Sequence, residues 1–375
     1  MREVMYPDYK HSILAVISSV LKHYGADNGY NSLPQLDVAL QKKYKNVALL
    51  VFDAMGCAVM DKNLTGDSFL QKHRVGEVTS VFPPTTAAAM TVYYSGLPPI
   101  VNGWLSSMCY FKEHDRVVTL YRNQDFYTKE MLNTAPVADE LKFVSIYEQI
   151  EKATSGTVQA TELSPFNQSK VSSVEDICAK IKELCAKEKQ QFILAYWPEP
   201  DATMHKTGTS SDETKSVLDN INKTAEKLSS ELKDTLLIIT ADHGHVDLDE
   251  EIYINEYPEL EKMLLHPLSF EDRVVSVFVK PEFKNEFPQL LNKLFPDEFA
   301  VFDKETVLKK QLFGTGKIHP RALDFIGDFI VASVGNKSLR QYIAGTPKMP
   351  VLRGSHAGLC ADEMRVPLIL VEKDK

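Results

Sequence analysis

Residues 235–245 read TLLIITADHGH. The apolar run at 236–239 stops abruptly, and Asp242 and His243 follow. A short, bounded run of Leu and Ile is the pattern of a strand buried on both faces. Such a strand tolerates no charge in its interior, so chemistry collects where it ends. Asp and His together suit a divalent metal such as zinc, whereas a single Asp at this place serves equally well as a turn or helix cap. The same grammar recurs twice: 47–52, VALLVF, runs into Asp53, and the apolar run 192–196 is followed by Asp201.

Between these runs lie helical patterns. Ile13, Val16, Ile17, Val20 and Leu21 share one face, as do Val174, Ile177, Ile181 and Leu184, and again Val217, Ile221, Ala225 and Leu228. A capping box at Ser210 and Glu213 is expected to open the last of these helices. Alternating strand and helix implies an α/β fold, a mostly parallel doubly wound sheet flanked by helices. In such sheets the carboxyl ends of the strands converge on one crevice, which gathers Asp53, Asp201, Asp242 and His243. His205 follows Asp201 by four residues, so a helix there would project both from one face. A glycine-flanked turn, Arg353-Gly354-Ser355-His356, brings one more imidazole before the last strand pattern at 366–371.

The segment 78–82 reads as a short strand stopped by Pro83 and Pro84. Thr85 and Thr86 then open the strong helix former AAAM. Thr86 has two readings. It is a capping hydroxyl, or it is a nucleophile at a helix N-terminus, where exposed N–H groups favour an anion. A dipole alone does not activate a threonine, so the second reading requires a metal or a base.

From 247 to 344 the grammar changes. Glu, Lys, Pro and Phe are frequent, strands are expected at 274–279 and 329–334 and a helix at 282–294, and no run ends in a ligand-type residue. The expected organisation is an inserted α+β cap subdomain, 247–344, in a catalytic core formed by 1–246 and 345–375. His266 and His319 fall in the insert and read as surface or packing histidines.

The 375 residues, 44% hydrophobic and 25% charged, suit a globular protein. A net charge of −9 argues against binding a nucleic-acid polymer, though not against a small phosphorylated substrate. No run approaches bilayer length, no signal peptide is read, and the five cysteines lack C-x-x-C spacing. The expectation is a cytoplasmic protein with reduced thiols and no membrane association. The sequence carries no signature of a particular oligomeric state.

The ligand-type residues number three Asp and three His: Asp53, Asp201, His205, Asp242, His243 and His356. That is enough for two three-ligand sites with open positions, the mark of catalytic metals. Two ions about 4 Å apart hold a phosphoryl group from both sides and activate a nucleophile. With Thr86 on the same rim, the expected product is a covalent phospho-threonine that water then hydrolyses.

The ordered set FDAMG at Asp53, FPPTTAAAM with SGL downstream at Thr86, PDATMH, ADHGH and GSHAGL resembles the alkaline phosphatase superfamily, and within it the nucleotide pyrophosphatase/phosphodiesterase branch. The resemblance runs from about residue 47 to the C-terminus, the insert excepted. It implies that Asp201, His205 and His356 hold one zinc. Asp53, Asp242 and His243 would hold the other, with Thr86 bound to it as nucleophile. It prefers Thr86 over Thr85 by the spacing to Ser95-Gly96, and it leaves His245 as a supporting or structural residue. Two features depart from the branch. Ala87-Ala88-Ala89-Met90 stands where Phe-Pro-Asn-His is common, and Ser107 occupies the place of a phosphate-holding Asn, with Asn102 as the alternative donor. The implied function is a metal-dependent phosphodiesterase or nucleotide pyrophosphatase, acting on a small phosphorylated substrate such as a nucleotide. A phosphomonoesterase or phosphonate hydrolase on the same scaffold is the rival, and it would need a basic group from the insert, for which Arg273 and Lys317 are the candidates. No Cys-x-Pro-x-Arg stretch stands near Thr86, which disfavours a sulfatase. A non-catalytic metal-binding protein would have no use for Thr86 beside a full ligand set.

Overall fold

The computed structural model of the chain describes residues 3–346 and 348–374. Its centre is a six-stranded sheet. In spatial order the strands are Arg74–Thr79, Arg365–Lys373, Thr235–Thr240, Asn46–Phe52, Gln190–Trp197 and Val158–Leu163. The last four are mutually parallel, and Arg365–Lys373 alone runs against both of its neighbours. Asn46–Phe52 and Thr235–Thr240 are buried at every residue, as a strand covered on both faces requires.

Helices cover both faces. Ile13–His23 packs with Thr86–Ser95 and Ile146–Ala153 on one side, while Asp212–Glu231 packs with Val174–Cys185 and Cys57–Asn63 on the other. The α/β, doubly wound expectation therefore holds. Register does the rest. Val51 pairs with Tyr196 on one side and with Thr240 on the other, so three neighbouring parallel strands end level.

Several local expectations shift. The strand expected at 78–82 lies at Arg74–Thr79. Ser80 donates its N–H to Met364 O outside the ladder, and Pro83 and Pro84 have no N–H to give, so the chain turns early. The long helix is capped by Ser211, whose Oγ accepts the N–H of Thr214, and not by Ser210. The helix expected from 282 begins at Phe287, because Pro281 opens a separate 3-10 turn and a second proline fits the first turn of Phe287–Leu294.

Residues 247–344 carry a four-stranded antiparallel sheet made of Ser269–Glu271, Val274–Val277, Phe329–Ser333 and Phe299–Asp303. Its apolar side joins Phe82, Ile100, Leu105 and Phe111 in one buried cluster with Phe270, Phe302, Phe325 and Leu359. A three-stranded sheet over Met108–Phe111, Arg116–Thr119 and Gln124–Asp125 stands beside it.

Candidate active site

Asp53 follows the Asn46–Phe52 strand directly, and Asp242 lies two residues beyond Thr235–Thr240. Asp201 opens the short helix Asp201–Thr207, which puts His205 one turn later on the same face. The level strand ends bring all of them together. His243 Nε2 is 3.3 Å from Asp53 Oδ1 and 3.4 Å from Asp242 Oδ2. His205 Nε2 is 3.2 Å from Asp201 Oδ2, and His356 Nε2 is 3.7 Å from Asp201 Oδ1. The rings of His243 and His356 stack with centroids 3.9 Å apart, which joins the two groups.

Each of these three imidazoles is oriented in the same way. Nδ1 of His243 faces Gly244 O at 2.9 Å, Nδ1 of His205 faces Gly354 O at 2.9 Å, and Nδ1 of His356 faces Pro84 O at 3.1 Å. A carbonyl only accepts, so Nδ1 carries a proton in each ring, and Nε2, turned to the carboxylates, is the atom left for a metal. This is the tautomer a metal ligand needs. His245 differs. Neither of its ring nitrogens has a hydrogen-bond partner, and its Nε2 lies 3.4 Å from Asp201 Oδ1.

Carboxylate oxygens are left over as well. Asp242 Oδ1 accepts the N–H groups of Ala54 at 3.0 Å and His243 at 2.9 Å, while its buried Oδ2 has no donor. Asp201 Oδ1 is likewise buried and unpartnered. Asp53 accepts the Tyr196 hydroxyl. Groupings within reach of a single ion are Asp53–Asp242–His243, Asp201–His243–His356 and Asp201–His205–His245.

The electrostatics describe a cluster short of positive charge. Burial, then the charges of Asp242 and Asp201, pushes Asp53 well above the usual carboxylate range. Burial, with Asp201 nearby, pushes Asp242 up to about 7. Asp201 is pushed up by burial too, but His205, His245 and His356 around it bring it well below its ordinary value. Burial alone would lower His205, yet Asp201 raises it to about 9. Burial brings His243 and His356 down to about 4, His356 also through His243. Neighbouring buried carboxylates do not all ionise without a cation, and the imidazole Nε2 atoms turned to them complete a donor set that fits divalent metals.

Thr86 sits on this rim. The helix N-cap position belongs to Thr85, whose Oγ1 instead reaches Glu271 Oε1 at 3.2 Å. Thr86 is the first helical residue, and its Oγ1 lies 3.2 Å from His243 Nε2 and 3.3 Å from Asp53 Oδ2. The backbone of Ser107 donates to Glu271 Oε1 at 2.9 Å, beside the same helix end. Asn102 is buried, with its amide nitrogen given to Leu97 O at 2.9 Å and its oxygen accepting Trp104 N–H at 2.8 Å. Arg273 is fully buried in a two-pronged pair with Glu363, at 2.7 and 2.8 Å, and Lys317 is exposed.

Sequence reasoning missed Tyr196 and Glu271. Tyr196 was visible as the last aromatic of a strand that ends beside Asp53. Glu271 lies in the insert, and no local pattern connects it to the site.

The sequence model of the type I phosphodiesterase / nucleotide pyrophosphatase family matches residues 47–357. No curated protein matched the chain in a sequence search. Among solved structures, the murine ectonucleotide pyrophosphatase / phosphodiesterase 5 superposes with a TM-score of 0.64 at 19% identity, over 88% of each chain. The human protein of the same name gives 0.63 at 20% identity, over 88% of this chain and 91% of that one. Phosphonoacetate hydrolase from Sinorhizobium meliloti 1021, in complex with phosphonoformate, gives 0.62 at 15% identity, over 88% and 90%. With the match spanning the strand ends, Thr86 and His356, the chain belongs to the type I phosphodiesterase / nucleotide pyrophosphatase family.

Proposed function

We propose that the protein is a two-metal hydrolase of phosphodiester or pyrophosphate bonds that passes through a phospho-threonine at Thr86. The observation that carries this reading is Thr86 Oγ1 at 3.2 Å from His243 Nε2, with unpartnered carboxylate oxygens and oriented imidazoles on the same rim. Asp53, Asp242 and His243 would hold one ion, and Asp201, His205 and His356 the other, zinc being the ion that the donor set suits best. Bound ions would neutralise the phosphoryl oxygens and lower the pKa of the attacking hydroxyl.

The chain's own residues do the rest. Thr86 Oγ1 attacks phosphorus in line, the bond to the leaving oxygen breaks, and water later cleaves the phospho-threonine. The first turn of Thr86–Ser95 presents N–H groups and the positive end of a helix to the phosphoryl group. Backbone carbonyls at Gly244, Gly354 and Pro84 hold the imidazoles so that only Nε2 faces the reaction. Ser107 closes the phosphate side, fixed through Glu271, and residues 247–344 act as the cap over the crevice.

A phosphomonoesterase or phosphonate hydrolase would use the same ligands. Burial of Arg273 against Glu363 takes one of the two basic candidates for a monoester's second charge out of reach, which favours the diester. The five cysteines are free. No helix among the described residues is long and apolar enough to cross a membrane.

Hydrolysis of p-nitrophenyl thymidine monophosphate and of p-nitrophenyl phosphate by zinc-loaded protein tests the reading. The diester is expected to be strongly preferred, and Thr86→Ala to lose on the order of 10³-fold in kcat while keeping its metal. Preference for the monoester, or an active Thr86→Ala, overturns it.

A further inference from the structure

We infer that the alcohol released by this enzyme is small and carries a primary ammonium group, so that the substrate is an aminoalkyl phosphodiester. The inference rests on the phosphodiesterase reading above and names its substrate class.

A cavity of about 180 Å³ opens beside His205 and His356, and Thr86, Asp53 and His243 take no part in its walls among the described residues. An in-line displacement expels the leaving group opposite the attacking oxygen, and the inference places that group in this cavity because His205 and His356 wall it and Thr86 does not. Pockets for drug-sized ligands run from about 300 to 1,000 Å³, which makes this one too small for a nucleoside and right for a few heavy atoms.

Its walls choose the charge. Arg340 is the one Arg or Lys lining it among the described residues, and that guanidinium is committed to Glu251 at 2.9 Å, Asp272 at 3.0 Å and Pro350 O at 3.0 Å. Of the lining residues, Glu271 and Asp272 are carboxylates, and the guanidinium of Arg340 is already shared between Asp272 and Glu251. Glu271 Oε1 takes all three of that side chain's hydrogen bonds, from Thr85, Ser106 and the Ser107 N–H, so Oε2 is left to the cavity. Ser269, two positions away on the strand Ser269–Glu271, lines the cavity too. Ser269 is 2% exposed and its Oγ has no partner. A buried hydroxyl without a partner is costly, and a ligand offering N–H donors would relieve it. A primary ammonium has three such donors and a compact charge. Phe126, Tyr127 and Phe270 also line the cavity, and cations favour aromatic surroundings. A trimethylammonium group has no donor for Ser269, and a carboxylate would meet Glu271 and Asp272 at close range.

The reaction is one diester plus one water giving a phosphomonoester and the amino alcohol. The P–O bond to the amino alcohol breaks, and the Thr86 hydroxyl proton is balanced by protonation of the departing alkoxide.

The test is a series of methyl phosphodiesters whose second alcohol is 2-aminoethyl, n-propyl, 2-carboxyethyl, trimethylammonioethyl or uridine, with methyl phosphate followed by phosphorus NMR. The 2-aminoethyl ester is expected to exceed the n-propyl ester in kcat/KM by about tenfold, the size of one partly screened charge pair. Glu271→Gln should bring that ratio close to one, and Ser269→Ala should lower it without altering charge. Equal or better turnover of the propyl, carboxyethyl, trimethylammonioethyl or uridine ester overturns the inference, as does release of methanol in place of the amino alcohol. Turnover of p-nitrophenyl methyl phosphate alongside any of these results leaves the phosphodiesterase reading standing. Failure of every diester sinks that reading and this inference with it.

Discussion

At the scale of single residues, the site is a set of atoms left without partners. Asp242 Oδ2 and Asp201 Oδ1 are buried and unbonded, and the Nε2 atoms of His205, His243 and His356 are turned to the carboxylates by the bonds their Nδ1 atoms make. Protons compete with metal for these atoms. Asp242 is raised to about 7 and His205 to about 9, so the metal-free protein keeps a proton on each up to those values. An arriving ion must displace both, so its affinity is expected to climb with pH from about 6 to about 9, with proton release that calorimetry in buffers of different ionisation enthalpy would detect. A flat profile would mean that these two groups are not ligands. Gly354 offers a second test. A Cβ there would lie 2.7 Å from His245 Cε1 and 2.8 Å from its Nδ1, and the Gly354 carbonyl is the one that orients His205. Gly354→Ala is expected to cost about 1–3 kcal/mol and to lower metal content by one equivalent. Full occupancy by elemental analysis would show that His205 does not depend on this contact.

At the scale of elements, strand register decides the chemistry. Phe52 pairs with Trp197 and Val51 with Thr240, so Asp53, Asp201 and Asp242 emerge at one height. The His356 turn comes from elsewhere, and the insert holds it. Arg273, at the start of the Val274–Val277 strand, grips Glu363 in the helix Ala361–Met364, and Glu363 in turn accepts the N–H groups of Gly358 and Cys360. Both side chains are fully buried. Breaking such a pair from one side leaves an uncompensated charge, so Arg273→Met is expected to cost about 3–5 kcal/mol. Adding Glu363→Leu should restore much of that loss. A denaturant double-mutant cycle in which the double variant is no more stable than the single one would refute the pairing argument.

For the whole molecule, the cluster makes stability depend on metal. Asp53, Asp201 and Asp242 repel one another in a buried crevice, and a cation that binds only the folded state relieves this. Zinc at about 1,000 times its Kd is expected to add about 4 kcal/mol, seen as a drop in Tm on chelation and its return on reloading. An unchanged Tm would mean that the crevice takes no metal. The fold itself was legible locally. Apolar runs at 47–52, 192–196 and 236–239 ending in or near Asp announce strands buried on both faces, and the period of 13–21 and 217–228 announces the helices that cover them. The i,i+4 pair Asp201 and His205 was readable for the same reason, since helix geometry is set by neighbours in the chain. Other residues were not legible. Asn102 and Ser107 looked alike as phosphate donors until Asn102 closed its own turn against Leu97 and Trp104. Arg273 looked available until packing put Glu363, ninety residues away, against it. Glu271 and Ser269 meet His205 and His356 around one small cavity only in the folded chain. The sequence by itself therefore determined the elements, their order and the chemical types gathered at the crevice, because periodicity and strand ends are written within a few neighbouring residues. Tertiary structure alone decided which polar atoms stay unpartnered and which charges face the substrate, because those depend on contacts between segments that the chain holds far apart.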